Sequence, residues 1–252
     1  MKIYDFFLFN HEIDLLALRI DYCKDTIAHF YAFESDIAFS GEPKKLYSDD
    51  FIAKYPELSN YVTFVKLDLS GKNITWEREH SARMGYLKFA LENHADCIGI
   101  FGDMDEFVNP DFFKIADFLS CPTFRLDMIC LMYNSKFKCD FHISTVLASV
   151  INHNFCQIDK RGVNNIFPII DGYAYHFQNF FSAEDISIKI KSNSHNEFYD
   201  DVFTNVEDIK NRVKNKLDYL GRDGFDYFEN IDFNDYPEKL KQLFKTKYKQ
   251  FN

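Results

Sequence analysis

Residues 97–106 have the sequence CIGIFGDMDE, and this stretch decides the fold. Its apolar first half, Cys97–Phe101, is typical of a buried β-strand. The strand ends in carboxylates at Asp103, Asp105 and Glu106, at the edge where open α/β sheets bind their ligands. Because like charges repel each other and are costly to desolvate, a bound cation is their natural compensation. The stretch therefore predicts a divalent ion, Mg²⁺ or Mn²⁺, that also holds phosphate oxygens.

A second interpretation of the same carboxylates stays open. Asp-x-Asp is a common tripeptide, and most of its copies are solvated turns or helix caps. The pair Asn109-Pro110 predicts a helix start close behind the motif. Glu106 and Asp111 would then be acidic residues near the start of that helix, where the helix dipole favours them.

Strand and helix patterns alternate through the first half of the chain. This βαβ order is typical of a mostly parallel sheet with helices on both faces. The predicted strands are Ile3–Phe9, Ile27–Phe33, Val62–Leu67 and Cys97–Phe101, and the predicted helices are Glu12–Tyr22, Asp50–Tyr55 and Trp76–Asn93.

The second half has longer and partly antiparallel strands, followed by helices. The predicted strands are Thr123–Tyr133, Ser144–Ile151 and the short Tyr173–Phe177; capping boxes predict helix starts at Ser182 and Thr204, and a last helix covers Pro237–Tyr248. We expect one α/β domain over residues 1–252. It would have a mostly parallel sheet in residues 1–120, a mixed part of the sheet in residues 121–200 and a helical tail in residues 201–252.

Charge and composition limit the partners and the compartment. The formal net charge of -10 argues against nucleic acid, whose backbone needs a basic surface. Lysines concentrated between Lys189 and Lys249 suit an anionic membrane surface or, equally, the solvated face of helices. Six cysteines without metal-ligand spacing predict reduced thiols. Without a signal-peptide pattern or a bilayer-length apolar run, we expect a cytoplasmic protein, with peripheral contact at the inner face of the membrane as an option.

Seven blocks of the sequence carry a family resemblance. They are IYDFFLFNHEIDLLALRI, FYAFES, FSGEPKKLY, WEREHSARMGYL, GDMDEFVNP, YAYHFQNF and KIKSNSHNEF. In this order they resemble the successive blocks of glycosyltransferase family 17, over most of the chain. The resemblance implies the GT-A fold and β-1,4-N-acetylglucosaminyl transfer from UDP-GlcNAc, which in this family goes to a mannose of N-glycans.

The resemblance also implies a donor site around the Asp-x-Asp motif. Asp103 and Asp105 would hold Mn²⁺ or Mg²⁺, which neutralises the charge that grows on the departing UDP. Asp105 is favoured as the direct ligand, and Asp103 as a ligand of the metal or the ribose. His176 would be a third ligand; its alternative is a buried structural histidine. The implied donor-binding residues are Glu34, Arg83, Asp103, Glu106, Lys191 and His195, with Arg83 expected to pair with Asp103 or to approach the nucleotide.

The catalytic base is not singled out by any motif. An inverting transfer needs a carboxylate that takes the proton of the acceptor hydroxyl. Asp127 and Asp171 are the candidates, and Asp140 is a weaker third. Each of them is also compatible with a purely structural role.

The acceptor and two further functions stay open. Ala174-Tyr175 replaces the Gly-Trp of the family, and we expect no Golgi anchor or stem before the first strand. A saccharide or lipid-linked saccharide of bacterial type is therefore the expected acceptor. One alternative is a non-catalytic protein of the same fold that binds sugar nucleotides or glycans. The other is a Mg²⁺-dependent phosphatase of the haloacid-dehalogenase type, although Phe107 stands where that class has Thr or Val.

Overall fold

The computed structural model describes residues 1–132, 137–139, 146–152, 167–220 and 235–251. These segments contain nine β-strands, which are β1 (Ile3–Leu8), β2 (His29–Glu34), β3 (Val62–Lys66), β4 (Ile98–Asp103), β5 (Glu106–Val108), β6 (Thr123–Met132), β7 (Phe137–Cys139), β8 (Val146–Val150) and β9 (Ile169–Gln178). All nine belong to one sheet, in the order β3-β2-β1-β4-β8-β6-β9-β5, with β7 paired to β6.

Helices cover the sheet and form the C-terminal part. Within the described segments the α-helices are α1 (Ile13–Cys23), α2 (Ser48–Lys54), α3 (Thr75–Asn93), α4 (Phe112–Ile115), α5 (Ala183–Ser192), α6 (Asp201–Thr204), α7 (Val206–Lys214) and α8 (Glu238–Thr246). None of these helices has the length and apolar character that a membrane span requires.

The parallel half of the sheet has its core on both faces. β1 pairs in parallel with β2 and β4, and β2 pairs in parallel with β3. Successive side chains of a strand point to opposite faces, so Phe7 joins the core beside α1 while Phe6 joins the core beside α3. Both rings are fully buried. The carboxyl ends of β1, β2 and β4 consequently lie together at one edge.

The second half of the sheet is mixed, as its sequence predicts. β8 pairs antiparallel with both β4 and β6, whereas β6 pairs in parallel with β9. The strand predicted at Tyr173–Phe177 is longer, and the described part of the strand predicted at Ser144–Ile151 is Val146–Val150. The predicted α/β domain, with a mostly parallel first half and a mixed second half, is confirmed.

Two predicted helix starts near functional segments have different outcomes. Ser182 caps α5, because its Oγ accepts the backbone N–H of Asp185 at 3.1 Å. The predicted start at Thr204 is wrong, since this residue ends α6. Asn205 caps α7 instead, where its side-chain oxygen accepts the N–H groups of Glu207 and Asp208. An Asn with extended backbone satisfies two first-turn donors at once.

Glu106 does not lie in the first turn of a helix. It begins β5 and pairs antiparallel with His176 of β9, while α4 begins only at Phe112. The helix-dipole interpretation of Glu106 is therefore wrong. A short strand directly after the acidic motif, paired with the distant β9, brings His176 to the carboxylates.

The C-terminal segment is tied to α1 through Asp21. This buried carboxylate accepts hydrogen bonds from Lys24 Nζ at 2.7 Å, Lys247 Nζ at 2.7 Å and Tyr248 Oη at 2.6 Å. Burial acts to raise the pKa of Asp21, but these donors outweigh burial and hold the pKa below its ordinary value. The ionised carboxylate therefore stabilises the docking of α8.

We predict that Asp21→Asn lowers the free energy of unfolding by about 1–3 kcal/mol at neutral pH, since hydrogen bonds to a charged group are lost. The native pKa of Asp21 is depressed, so its contribution is present above the unfolded value near ~3.9. It disappears as the pH falls through the native pKa. Urea unfolding of both proteins should show their difference shrinking below about pH 4. A difference that does not change with pH, or one matched by the exposed Asp49→Asn, would contradict this account.

Candidate active site

The carboxyl ends of β1, β2 and β4 open into a cavity of about 700 Å³, which we call the sheet-edge cavity. Most of the predicted site residues lie in its wall, namely Glu34, Arg83, Asp103, Asp105, Glu106, His176 and His195. Three others, Lys191, Asp127 and Asp171, do not. The parallel topology thus brings together residues that are up to 161 positions apart, from Glu34 to His195.

Arg19 of α1 holds the loop that follows β4. Its guanidinium is 1% exposed and binds both carboxylate oxygens of Asp5 on β1, at 2.8 and 2.7 Å. Nη1 of Arg19 also donates to the carbonyls of Asp103 and Met104, at 2.7 and 2.8 Å. The backbone of the Asp-x-Asp loop is therefore fixed from beneath by a buried cation.

Glu106 holds the same loop from the other end. Its Oε2 accepts the backbone N–H of Asp103 at 2.7 Å, and the residue is 1% exposed. A Cβ at Gly102 would lie 2.8 Å from this oxygen, so the glycine allows the close approach. Glu106 lies in the cavity wall, and one of its two carboxylate oxygens binds the loop backbone.

Asp103 is paired with Arg83 of α3. Nη1 and Nη2 of Arg83 donate to the two oxygens of Asp103 at 2.8 and 3.3 Å, while Nε and Nη2 also bind Glu79 at 3.0 and 2.8 Å. The side chain of Asp103 is 36% exposed. Of the two roles expected for Arg83, the structure has the pairing with Asp103, which keeps that carboxylate in the cavity wall.

Asp105 has a cation of its own, Lys189 of α5. Its Oδ2 lies 2.6 Å from Lys189 Nζ and 3.5 Å from His176 Nε2. The side chain of Asp105 is 6% exposed and that of Lys189 27%. β5–β9 pairing positions the histidine, and the N–H of Phe177 donates to the Asp105 carbonyl at 2.7 Å.

The charges of this cluster support each other. Burial acts to raise the pKa of Asp105, but Lys189 and His176 outweigh it and hold the pKa well below its ordinary value. Burial likewise opposes the charged form of Lys189, yet the Asp105 carboxylate raises its pKa. The pKa of His176 is also raised by Asp105, against the effect of burial. Asp105 is therefore an ionised carboxylate with at least one fixed cation.

Lys189 is a site residue that was not predicted from the sequence. Lys191 was predicted instead, but it is exposed and lies outside the cavity wall. Helical periodicity could have identified Lys189. Ile186 and Ile190 form the buried face of α5, and Lys189 lies next to this face. Lys191 is two residues further, about 200° around the helix.

Polar side chains also line the cavity near the ends of β1 and β2. Oε2 of Glu34 accepts the N–H of Tyr47 at 2.8 Å, and Glu34 is 3% exposed. Asn10 Nδ2 donates to Ser192 Oγ at 3.0 Å. Lys44 Nζ is buried in the cavity wall, and no hydrogen-bond partner for it occurs in the described part of the chain.

His195 lies at the rim of the cavity beside the only tryptophan. The ring centroids of Trp76 and His195 are 4.9 Å apart, nearly perpendicular, and Trp76 is 51% exposed. Nδ1 of His195 lies 2.8 Å from Glu197 Oε1. Next to it, Ser194 Oγ donates to Glu79. The loop after α5 is thus attached to the first turns of α3.

The two candidate bases lie away from this cluster. Oδ1 of Asp127 accepts the N–H of Met128 at a register shift in β6. Asp171 is exposed on β9, in the irregular part of the β6–β9 pairing that also contains Asp127. Asp140 lies outside the described residues. None of these observations tests a role in proton transfer.

The predicted metal ligands have atom types that suit a divalent ion, but their positions in the structure do not form a coordination site. Carboxylates suit Mg²⁺ and Mn²⁺, and imidazole also suits Mn²⁺. Within the described ranges, however, no three His, Cys, Asp or Glu side chains lie close enough together to hold one. Asp103 and Asp105 instead contact Arg83 and Lys189. The position beside Asp105 Oδ2 is thus already taken by the ammonium of Lys189.

Fold and site together define an α/β protein with an acidic ligand site at the carboxyl ends of parallel strands. The model of glycosyltransferase family 17 matches residues 1–247. The chain belongs to this family, and it is a sugar-transferring enzyme. The recognition from sequence is confirmed, and the phosphatase alternative is wrong. Among curated proteins, none matches this chain.

Solved structures show distant similarity. An active-site mutant of LgtC is 15% identical with a TM-score of 0.35, and the match covers 60% of this chain and 57% of that one. Galactosyltransferase LgtC, in complex with donor and acceptor sugar analogues, is 13% identical with a TM-score of 0.37, covering 78% and 80%. Glucosyl-3-phosphoglycerate synthase from Mycobacterium tuberculosis, in complex with Mn²⁺, UDP and phosphoglyceric acid, is 11% identical with a TM-score of 0.36, covering 69% and 70%. At such scores these likenesses carry no conclusion about the present chain.

We predict that Arg19→Met lowers the free energy of unfolding by about 3–5 kcal/mol, because it leaves the Asp5 carboxylate buried without a partner. The double variant Asp5→Asn/Arg19→Met removes both charges together. Its loss should therefore be smaller than the sum of the two single losses. Urea unfolding of the four proteins measures this coupling, and simple additivity would show that the two residues do not act as a pair.

Proposed function

We propose that the protein transfers a sugar from a UDP-sugar, with UDP-GlcNAc as the first candidate, to a saccharide or lipid-linked saccharide. The observation that carries the proposal is the placement of Asp103 and Asp105 at the end of β4, inside a cavity that also contains Arg83 and Lys189. Fixed cations offer a diphosphate charge-assisted hydrogen bonds. Carboxylates beside them accept hydrogen bonds from ribose and sugar hydroxyls.

The nucleoside belongs, in this proposal, over the ends of β1 and β2. There the cavity wall is apolar at Phe9, Phe33 and Leu67, which suits the flat faces of a base. Glu34 and Asn10 supply polar groups at the same end. The length of the cavity then leads from the nucleoside past Asp103 to the sugar near His176.

We propose further that Mn²⁺ or Mg²⁺ binds at Asp103, Asp105 and His176 together with the donor. When bound, the ion supplies positive charge for the oxygens of the departing diphosphate. The chain's own residues prepare this site. Arg83 orients the Asp103 carboxylate, and β5–β9 pairing holds His176 beside Asp105.

Asp127 and Asp171 stay the candidates for the base that takes the acceptor proton. Neither lies in the wall of the sheet-edge cavity; Asp127 belongs to β6 and Asp171 to β9. If one of them acts, the acceptor approaches the donor from the side of the sheet that β6 and β9 form.

A lipid-linked acceptor would agree with a cytoplasmic protein that touches the inner face of a membrane. The Lys-rich helices α7 and α8 are the part that favours such contact. Their charge is partly compensated, because Lys210 pairs with Glu184 and Lys239 with Asp25. This part of the proposal consequently rests on the sequence pattern.

Donor binding has a built-in reporter, because Trp76 is the only tryptophan and lies in the cavity wall. We predict that UDP-GlcNAc changes the Trp76 fluorescence saturably, with tighter binding in the presence of Mn²⁺. Asp105→Asn should weaken donor binding by about tenfold or more. The exposed Asp49→Asn of α2 is the matched control and should bind like the wild type.

The titration is decisive against a panel of UDP-sugars. If none of them binds with Mn²⁺ present, or if Asp105→Asn binds as tightly as the wild type, the donor assignment is wrong. Release of UDP with mannose-containing or lipid-linked acceptors tests the proposed acceptor classes. Tight donor binding without transfer to any of them would contradict this part of the proposal.

A further inference from the structure

Lys189 is held in place from several directions. Its helix α5 begins at the Ser182 cap, and its Nζ lies 2.6 Å from Asp105 Oδ2 and 5.0 Å from the centroid of the Phe181 ring. The buried face of α5 packs on α6 and α7. Lys189 is therefore a cation of the site itself and not a mobile surface lysine.

Its ammonium occupies a contact position on Asp105 Oδ2 that a divalent ion bound to this oxygen would also need. Such an ion bonds a carboxylate oxygen at about 2.1 Å, while the ammonium of Lys189 lies 2.6 Å from Asp105 Oδ2. His176 Nε2 approaches the same oxygen at 3.5 Å. An ammonium and a divalent ion side by side on one buried oxygen repel each other strongly at low dielectric. The two cations therefore compete for Oδ2 of Asp105.

We propose that Lys189 is the resident cation of Asp105 and that a divalent ion binds this carboxylate only by displacing it. The inference rests on the proposed donor site, and it adds a competitor to the metal there. Displacement leaves the ammonium inside the sheet-edge cavity, available for the phosphate oxygens of the donor. Lys189 thus compensates Asp105 when no metal is bound and turns to the donor when one is.

The other cations near the motif do not fit this role. Arg83 binds Asp103 through a two-pronged contact and is shared with Glu79. Lys191 is exposed on a different face of α5. Lys44 lies in the same cavity wall, and the carboxylates that act on it are Glu34, Glu12 and Asp36. Lys44 is therefore a suitable control for the removal of positive charge from the cavity without contact to Asp105.

The test is calorimetric titration with Mn²⁺ alone, without nucleotide. We expect Lys189→Met to bind Mn²⁺ about tenfold more tightly than the wild type or better, since the competitor is gone. Lys189→Arg keeps the charge and should bind like the wild type. The Mn²⁺ affinity of Lys44→Met should stay within about threefold of the wild-type affinity, because a charge that does not contact Asp105 acts on it only through a screened electrostatic field.

The proposal is overturned if Lys189→Met binds Mn²⁺ no more tightly than the wild type, if neither protein binds it, or if Lys44→Met gains as much. Loss of the cation leaves Asp105 buried and unpaired, so Lys189→Met is expected to melt at a lower temperature. Mn²⁺ should then raise its melting temperature more than that of the wild type. Should this variant fail to fold without metal, folding on addition of Mn²⁺ supports the proposal, and no recovery contradicts it.

The same proteins separate this inference from the proposed function. Equal Mn²⁺ affinities together with UDP-sugar binding at Trp76 would overturn the competition and leave the donor site intact. Tighter Mn²⁺ binding by Lys189→Met without binding of any UDP-sugar would support the competition and overturn the donor assignment.

Discussion

The buried guanidinium of Arg19 is the interaction on which the rest of the site depends. Desolvating a cation this completely is expensive, and it is tolerated only where hydrogen bonds compensate it. Asp5 on β1 supplies two of them, and the carbonyls of Asp103 and Met104 supply two more. One side chain therefore joins α1, the central strand and the acidic loop. The loop geometry is set by the core, so it does not have to form when a ligand arrives.

Above this anchor, acidic and basic side chains from different elements alternate. Asp103 is paired with Arg83 of α3, and Asp105 with Lys189 of α5. Each carboxylate thus has a fixed positive partner, and for the buried Asp105 this partner offsets part of the cost of desolvation. It also means that the site has defined charges before any donor or metal binds. Preorganised charges need little reorganisation during a reaction, which is the main electrostatic contribution that enzymes make to transfer chemistry.

Sequence patterns predicted the strands that carry the site because those strands are buried on both faces and hence continuously apolar, as in β4. They also located Glu34, Asp103 and Asp105, since carboxylates that follow such strands share an edge. Sequence patterns did not predict contacts between residues that are distant in the sequence. The three-residue strand β5 is too short to show periodicity, and its pairing with β9 is tertiary. Lys189 was missed because Lys191 was assigned, with His195, to the loop after the helix, whereas α5 continues to Ser192 and its buried face decides which lysine points inward.

The sheet-edge cavity combines residues from both halves of the chain. The ends of β1, β2 and β4 supply the floor, whereas His176 and Lys189 come from β9 and α5. A backbone hydrogen bond from Phe39 to Ser192 and the side-chain contact between Ser194 and Glu79 attach the loop after α5 to the parallel half. The placement of Lys189 beside Asp105 therefore depends on how α5 docks, and that docking depends on packing against α6 and α7. Helices that contribute no side chain to the cavity thus determine the charge at its centre.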